Sequence, residues 1–524
     1  MESKNKFWKG ILIGSLVTAF AGLVIVGMSA GIFLIGRSMI RSQVQAQNGS
    51  PAGEKDNGSG IRWNEVEVKA KRLQEIIDHY FLFDEDQENV EEFIFKGMMA
   101  GLDDPYSVYY TEDEFMELME ETSGEYCGIG AMVSKNMVTG IISVAKVFKG
   151  TPAEEAGLRV GDIFYQVDDV EVTTDLDLDI LVKQHVKGEE GTMVHLKMFR
   201  PAAEDYVEMD VVRRQIEVPT VEYEMKADKV GYIIVSQFDT VTTEQFKSAL
   251  DDLEGQGMEG LVIDLRGNPG GVLDTAVAMI DYMLPDDLDE YSQEKGKTLV
   301  VSTADKNEQG DKFYCEDGHS IDIPTVILID GNSASASEVF AGAMRDYGRA
   351  KLVGTTSFGK GIVQTLLPLG DGSAVKLTTA HYYSPSGFDL HGVGLEPDVE
   401  IAYELPEGDE DKAAEGKGQE DGEAASEDGN DGADEQDSTG RDDGADEQDS
   451  TGRNDGAGEQ DSAGRDDGQG SQAALGGDRN GNSGQAGNDG EAAEELYDNQ
   501  LEKALEVLDE MIEDKEKAVG AFAA

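Results

Sequence analysis

An uncharged and mostly apolar run, Ile11–Gly36, opens the chain, with Lys4, Lys6 and Lys9 before it and Arg37 and Arg41 after it. As a helix rising 1.5 Å per residue it would be roughly 39 Å long, enough to cross a bilayer with tilt. A signal-peptide core is shorter, so residues 1–41 are expected to be a cytoplasmic head and an uncleaved transmembrane helix. The basic residues around the run favour a cytoplasmic N-terminus, with the bulk of the chain outside. Residues 42–60, rich in Gly, Ser, Asn and Gln, are expected to be a flexible linker.

From residue 61 to 122 the apolar period is helical. Val66, Val68, Leu73, Ile76, Ile77 and Tyr80 mark one face, and Val90, Phe93, Ile94, Met98 and Leu102 mark a second. Asp103-Asp104-Pro105-Tyr106 breaks the pattern, because the residue before proline avoids the helical region. Thr111-Glu-Asp-Glu114 then has the spacing of a capping box. Only packing is expected of this segment. Residues 123–213 read as strands and Gly-rich turns. Residues 214–406 alternate apolar strand runs, such as Val230–Val235, Leu261–Asp264 and Thr325–Asp330, with helical stretches. That alternation predicts a βα-layered core with a mixed sheet and reactive groups at the strand ends.

The chemistry concentrates where the Thr325–Asp330 strand meets Gly331-Asn332-Ser333-Ala334-Ser335-Ala336-Ser337-Glu338. Val339, Phe340, Ala343 and Met344 continue at helical spacing, so the serines occupy a tight strand-to-helix turn. A hydroxyl there faces the positive end of a helix dipole. Ser335 and Glu338 also have capping-box spacing, a pattern that many helices use with no chemistry. Lys360 follows in a turn framed by Gly359 and Gly361, and Arg266-Gly-Asn-Pro-Gly-Gly271 forms another glycine-rich turn.

Charge and composition narrow the function classes. The 524 residues carry a net charge of -64, the opposite of the basic face that nucleic acid requires. The two cysteines, Cys127 and Cys315, form no CxxC pattern, no HExxH occurs, and the six histidines lack zinc-ligand spacing. Neither a metal nor a cofactor is expected.

The run Thr-Pro-Ala-Glu-Glu-Ala-Gly-Leu-Arg-Val-Gly-Asp-Ile-Phe, residues 151–164, resembles a PDZ domain over 123–213. In such a domain a glycine-rich loop points backbone N–H groups at a peptide's terminal carboxylate, while the peptide adds to a sheet edge. Gly128, Ile129 and Gly130 are the candidates for that loop. Four ordered motifs, DLRGNPGG, GNSASASEVFAGAMRDYGRA, GTTSFGKGIVQ and SPSGFDLHGVGLEPDVE, are together similar to the C-terminal processing peptidases, or tail-specific proteases. These are serine peptidases with a Ser–Lys catalytic pair and an embedded PDZ domain, and the resemblance covers roughly residues 62–402. It implies that Ser335 is the nucleophile, Lys360 the general base and Gln364 the residue that positions the lysine. It also implies oxyanion donors from the backbone of Ala336 and from the Gly270-Gly271 turn. A serine hydroxyl needs an adjacent base, and burial would lower the lysine's pKa from its usual ~10.4; Phe358 and Val363 are the expected apolar neighbours. In the family the PDZ domain often gates the active site, and Arg200 is the candidate link between the two.

Residues 407–491 are Gly, Asp, Glu, Ser and Gln with almost no large apolar side chains. They include the repeats Asp431–Asp442, Asp443–Asn454 and Asp455–Asp466. Such a segment cannot bury enough surface to fold and is expected to be a disordered acidic insert. In residues 492–524, Leu501, Ala504, Leu505, Leu508, Met511 and Ile512 mark an amphipathic closing helix. The chain therefore reads as an α+β or α/β multidomain, membrane-anchored serine endopeptidase acting on exposed protein C-termini. A catalytically inactive PDZ scaffold is the competing class, and a homo-oligomer is left open.

Overall fold

The structure is a computed structural model and describes residues 60–404 and 497–523. The expected anchor, linker and acidic insert lie outside the described residues. Among the described residues no helix is long and apolar enough to cross a membrane. The chain divides into two compact units, residues 1–87 and 88–524. In the first, the helix Trp63–Tyr80 has no fully buried residue, and Val66, Leu73, Ile76 and Tyr80 are exposed along it.

The second unit is built on a six-stranded sheet. Its order is Val221–Met225, Val230–Val235, Gly260–Asp264, Thr325–Ile329, Lys351–Gly354 and Val399–Glu400, with an antiparallel first pair and parallel pairs thereafter. Every residue of Gly260–Asp264 and Thr325–Ile329 is buried, which is why these strands read as continuous apolar runs. The helices Thr242–Gly255, Leu273–Met283 and Ala336–Asp346 contribute Phe246, Leu250, Met279, Ile280, Val339 and Phe340 to one core. The closing helix Asn499–Ala523 sets Ala504, Val507 and Leu508 against Val262, Val326, Leu328 and Val353 in a second core. Each fully buried Leu or Phe in these layers contributes about 2 kcal/mol.

Two clamps hold the closing helix. Arg266 pairs with buried Asp264 and with Asp498, each at 2.7 Å, and bonds Gln500 at 2.9 Å. Asn499 accepts from the Glu404 N–H at 3.1 Å and donates to the Ala402 carbonyl at 2.8 Å, so the chain returns beside the point where residue 404 leaves the core.

A second sheet runs Val108–Tyr110, Ala374–Tyr383, Leu299–Asp305, Lys312–Tyr314, with Ile362–Pro368 also paired to Ala374–Tyr383. The pairing of Val108–Tyr110 with the Ala374 end brings the Asp104–Ser107 loop beside the lysine turn. The capping box at Thr111 forms: the Glu114 N–H donates to Thr111 Oγ1 at 3.3 Å, and Glu114 accepts from the Thr111 N–H at 2.9 Å.

The PDZ sheet is antiparallel, in the order Ala131–Lys135, Ile142–Val147, Ile163–Val167, Met193–Arg200, Asp205–Val212, which leaves Ala131–Lys135 at its edge. A helix, Leu178–Leu181, continues as a π-turn through Val186, and Leu181 and Val186 enter a separate core with Ile129, Phe164 and Leu196. Glu125–Gly128 and Arg214–Glu217 pair where the chain enters and leaves this domain. Cys127 and Cys315 are both free thiols.

Candidate active site

The three serines of the turn do different things. Ser333 is fully buried, donates to the Leu265 carbonyl at 2.7 Å and accepts from the Asp330 N–H at 2.9 Å. Ser337 is fully buried and donates to the Asn268 carbonyl at 3.0 Å. Ser335 alone of the three is partly open to solvent, at the N-cap of the helix Ala336–Asp346. Its φ of 56° and ψ of -114° lie in a region that L-residues avoid, a strain that the surrounding bonds must hold.

Glycine makes the neighbouring loop fit. At Gly270, φ is +97°, and a Cβ there would sit 2.6 Å from the Ala334 carbonyl and 2.9 Å from both the Ala336 nitrogen and Ser335 Cβ. The two turns are therefore in backbone contact. Of the expected oxyanion donors, the Gly270 N–H is already taken by Asn268 Oδ1 at 2.9 Å. Among the described residues the Ala336 and Gly271 N–H groups have no hydrogen-bond partner, so they are the donors this geometry leaves available.

Glu338 joins the serine turn to the lysine turn. Its buried carboxylate accepts from the Ser335 and Lys360 N–H groups, both at 2.9 Å, from the Gly359 N–H at 2.7 Å and from the Ser357 hydroxyl at 2.5 Å. Charge-assisted bonds of this kind are the stronger class. The Tyr382 hydroxyl reaches the carbonyls of both Ser335 and Lys360, at 3.0 and 2.6 Å.

The Lys360 side chain lies over the Tyr106 ring, 4.5 Å from its centroid, and makes no hydrogen bond to Ser335. Burial, with help from Lys376, pushes the Lys360 ammonium below the usual lysine range, against opposing pulls from Asp104 and Glu338. The expected apolar neighbour Phe358 instead turns outward and is 52% exposed. Gln364 does not bond Lys360 either. It donates to Thr378 Oγ1 at 3.3 Å, and Thr378 in turn reaches Asp104. The segment expected only to pack thus supplies Asp104 and Tyr106 to the lysine's surroundings. The proline break was the only sequence sign that this loop was special.

Arg200 is a second departure. Its guanidinium bonds Asp162 through two 2.7 Å contacts and the Gly157 carbonyl at 2.8 Å, all inside the PDZ domain, so it braces that domain's own turn and does not link it to the peptidase core. Gly128 pairs with Arg214 in the short two-stranded sheet, Ile129 is buried in the PDZ core, and Gly130 has a φ of +84°. His381 and His391 pack edge to face, with His381 Nδ1 3.8 Å from Asp389, and neither bonds Ser335. The Cys127 thiol is pushed up, mainly by burial, which argues against a thiolate nucleophile.

Residues 229–401 match the sequence profile described as peptidase family S41, and residues 143–192 match that of a PDZ domain. A carboxy-terminal-processing protease of Bartonella bacilliformis is 35% identical over 342 residues, which is 64% of this chain and 74% of that protein. The chain belongs to this serine peptidase family. The carboxy-terminal processing protease CtpB of Bacillus subtilis is 34% identical over 336 residues, 64% of this chain and 67% of that protein. Among solved structures, a photosystem II D1 C-terminal processing protease aligns at 27% identity with a TM-score of 0.37, over 63% of this chain and 86% of that one. A mixed α/β peptidase core with a PDZ domain is the architecture of this S41 peptidase.

Beside the glycine loop, buried Asp239 has one carboxylate oxygen without a partner, and its pKa is raised to about 6, chiefly by burial. A carboxyl whose folded pKa exceeds its unfolded value of 3.8 destabilises the fold progressively as pH rises between the two. Asp239→Asn is therefore expected to raise stability at pH 8 by about 2 kcal/mol and to have little effect below pH 4. Urea unfolding at the two pH values measures this, and equal effects at both would refute it.

Proposed function

We propose that this S41 peptidase is a membrane-anchored endopeptidase that recognises protein C-termini through its PDZ domain and cleaves by a Ser335–Lys360 dyad. The observation that carries the reading is the shared Glu338 carboxylate, which ties the backbones of the strained serine and the buried lysine to one point. In the acylation step Lys360 Nζ, neutral, takes the Ser335 proton as Oγ attacks the scissile carbonyl, and the Ala336 and Gly271 N–H groups receive the oxyanion. The same ammonium then protonates the leaving amine, and water completes deacylation. Because Lys360 rests on the Tyr106 ring, its side chain must swing to Ser335 before the first transfer. Gln364 is placed to act on this movement through Thr378 and Asp104. The apolar Ile11–Gly36 run with its basic flanks supports the anchor, with the catalytic domain on the extracytoplasmic side.

The full chain, solubilised in detergent, should degrade unstructured casein, and a fluorophosphonate probe should label one serine, located at Ser335 by peptide mass spectrometry. No degradation and no labelling would favour the inactive scaffold.

Lys376 provides a check on the base. A nearby cation holds the Lys360 pKa down, so Lys376→Met should let it rise. The neutral amine then appears only at higher pH, and the rising limb of kcat/KM against pH should move to higher pH. An unmoved limb would mean that another group titrates.

A further inference from the structure

The Gly271 N–H, one of the two available oxyanion donors, belongs to a peptide unit that is held from its other end. In a trans peptide the C=O and the N–H point in opposite directions. The Gly270 carbonyl accepts from the Phe238 N–H at 2.9 Å, so this one bond sets where the Gly271 N–H points. The unit needs such a bond. It lies between glycines with φ of +97° and +146°, and glycine has little conformational preference of its own to resist a flip. Phe238 also accepts from the Val272 N–H at 2.7 Å, and its ring is fully buried beside Phe340 of the serine helix.

The same stretch of chain is anchored again two residues later. The last carbonyls of a helix lack intrahelical donors, and at the end of the helix Glu112–Ser123 residues 240 and 241 supply them. The Thr240 N–H and hydroxyl reach the Thr122 carbonyl at 3.0 and 3.2 Å, and the Val241 N–H reaches the Ser123 carbonyl at 3.3 Å. Gly124 follows, where the chain enters the PDZ domain, and its carbonyl accepts from the Val218 N–H at 2.8 Å, where the chain comes back. A Cβ on Gly124 would lie 2.6 Å from Val241 Cγ2, so the attachment point and the stretch are in direct contact.

We infer that Thr240 is a positioning residue for the oxyanion hole, fixing the Gly271 N–H from the point at which the PDZ domain joins the peptidase core. This rests on the peptidase reading of the proposed function and adds the tie that Arg200 does not provide. Thr240 is exposed and acts through the backbone of Phe238 and the Gly270 carbonyl. Releasing the Thr122 carbonyl frees the stretch, and with it the direction of the donor, while nucleophile and base are untouched. The Thr275 hydroxyl still holds the Asp239 carbonyl at 3.2 Å, so losing the Thr240 hydroxyl weakens the donor's hold and does not abolish it.

The test compares the full chain in detergent with its Thr240→Val and Thr240→Ser variants. Valine keeps the branched shape and the backbone N–H and removes the hydroxyl, whereas serine keeps the hydroxyl. Valine should lower both kcat on casein and the rate of fluorophosphonate labelling of Ser335 about three-fold, less than the roughly 10²–10³-fold cost of losing a whole oxyanion donor. KM should stay, serine should restore the parent rate, and the rising limb of the pH profile should not move, because Lys360 is unchanged. Labelling is followed to completion, so that an unfolded fraction lowers the end point and not the rate. A valine variant as fast as the parent, a serine variant as slow as valine, a loss carried by KM or a displaced limb overturns the inference and leaves the peptidase reading standing. If the parent neither cleaves casein nor labels at Ser335, that reading falls and the inference falls with it.

Discussion

Alanine at Ser335 is expected to slow casein degradation by at least about 10⁴-fold, while alanine at Ser333 or Ser337 leaves the chemistry in place and lowers stability. The contrast follows from what each hydroxyl touches. Ser333 and Ser337 are fully buried and tie the nucleophile turn to the carbonyls of Leu265 and Asn268. Removing either leaves buried backbone acceptors unpaired, which costs about 1–3 kcal/mol. Ser335 contributes no such tie to the core, and the Gly270 turn packs against its Cβ and the Ala336 nitrogen. Initial rates and melting curves on the three variants separate these roles. An active Ser335→Ala protein, or an inactive but well-folded Ser333→Ala or Ser337→Ala protein, would move the nucleophile elsewhere.

The second large effect is expected at Lys360. Methionine has a similar length and no amine, so Lys360→Met should lose about 10³-fold or more in kcat and should also lose fluorophosphonate labelling of Ser335. The fold should survive, because Glu338 and Tyr382 bind the backbone of residue 360 and not its side chain. Removing a desolvated ammonium also takes away a burial penalty, so the melting temperature should hold or rise. A Lys360→Met protein that cleaves casein at more than a tenth of the parent rate would leave the dyad without its base.

Both expectations turn on a geometry that is incomplete at rest. The serine and lysine backbones are joined through one carboxylate and one tyrosine hydroxyl, yet the lysine side chain lies on Tyr106. Asp104 and the ring face both favour the charged amine, while burial and Lys376 favour the neutral one. Burial is the largest of these influences, so the resting surroundings already lean toward the free base, and what rest lacks is the contact with Ser335. If Lys360 is the base, as the proposed mechanism has it, holding it on Tyr106 adds a step at which substrate engagement can act.

The amino-acid sequence determined the parts of this picture that short-range physics controls. Apolar runs at 261–264 and 325–330 specify strands buried on both faces. Val339, Phe340, Ala343 and Met344 specify the inner face of the serine helix, and Leu501 to Ile512 the face of the closing helix. Glycines at 270 and 359 mark backbones that run at positive φ. Thr111 and Glu114 write a capping box in four letters. Each of these is a local preference that agrees with the final packing.

What the tertiary structure alone decided depends on partners far apart in the chain. Asp104 and Tyr106 reach Lys360 only because Val108–Tyr110 pairs with Ala374–Lys376, a register that no local period announces. Asn268 takes the Gly270 N–H and so leaves Gly271 as the available donor. Gln364 bonds across its own strand pair, and Arg200 is drawn to buried Asp162. In each case a polar side chain had several chemically acceptable partners in the sequence. Burial made the choice, because a buried donor or acceptor must be paired by whatever group the fold brings within about 3 Å.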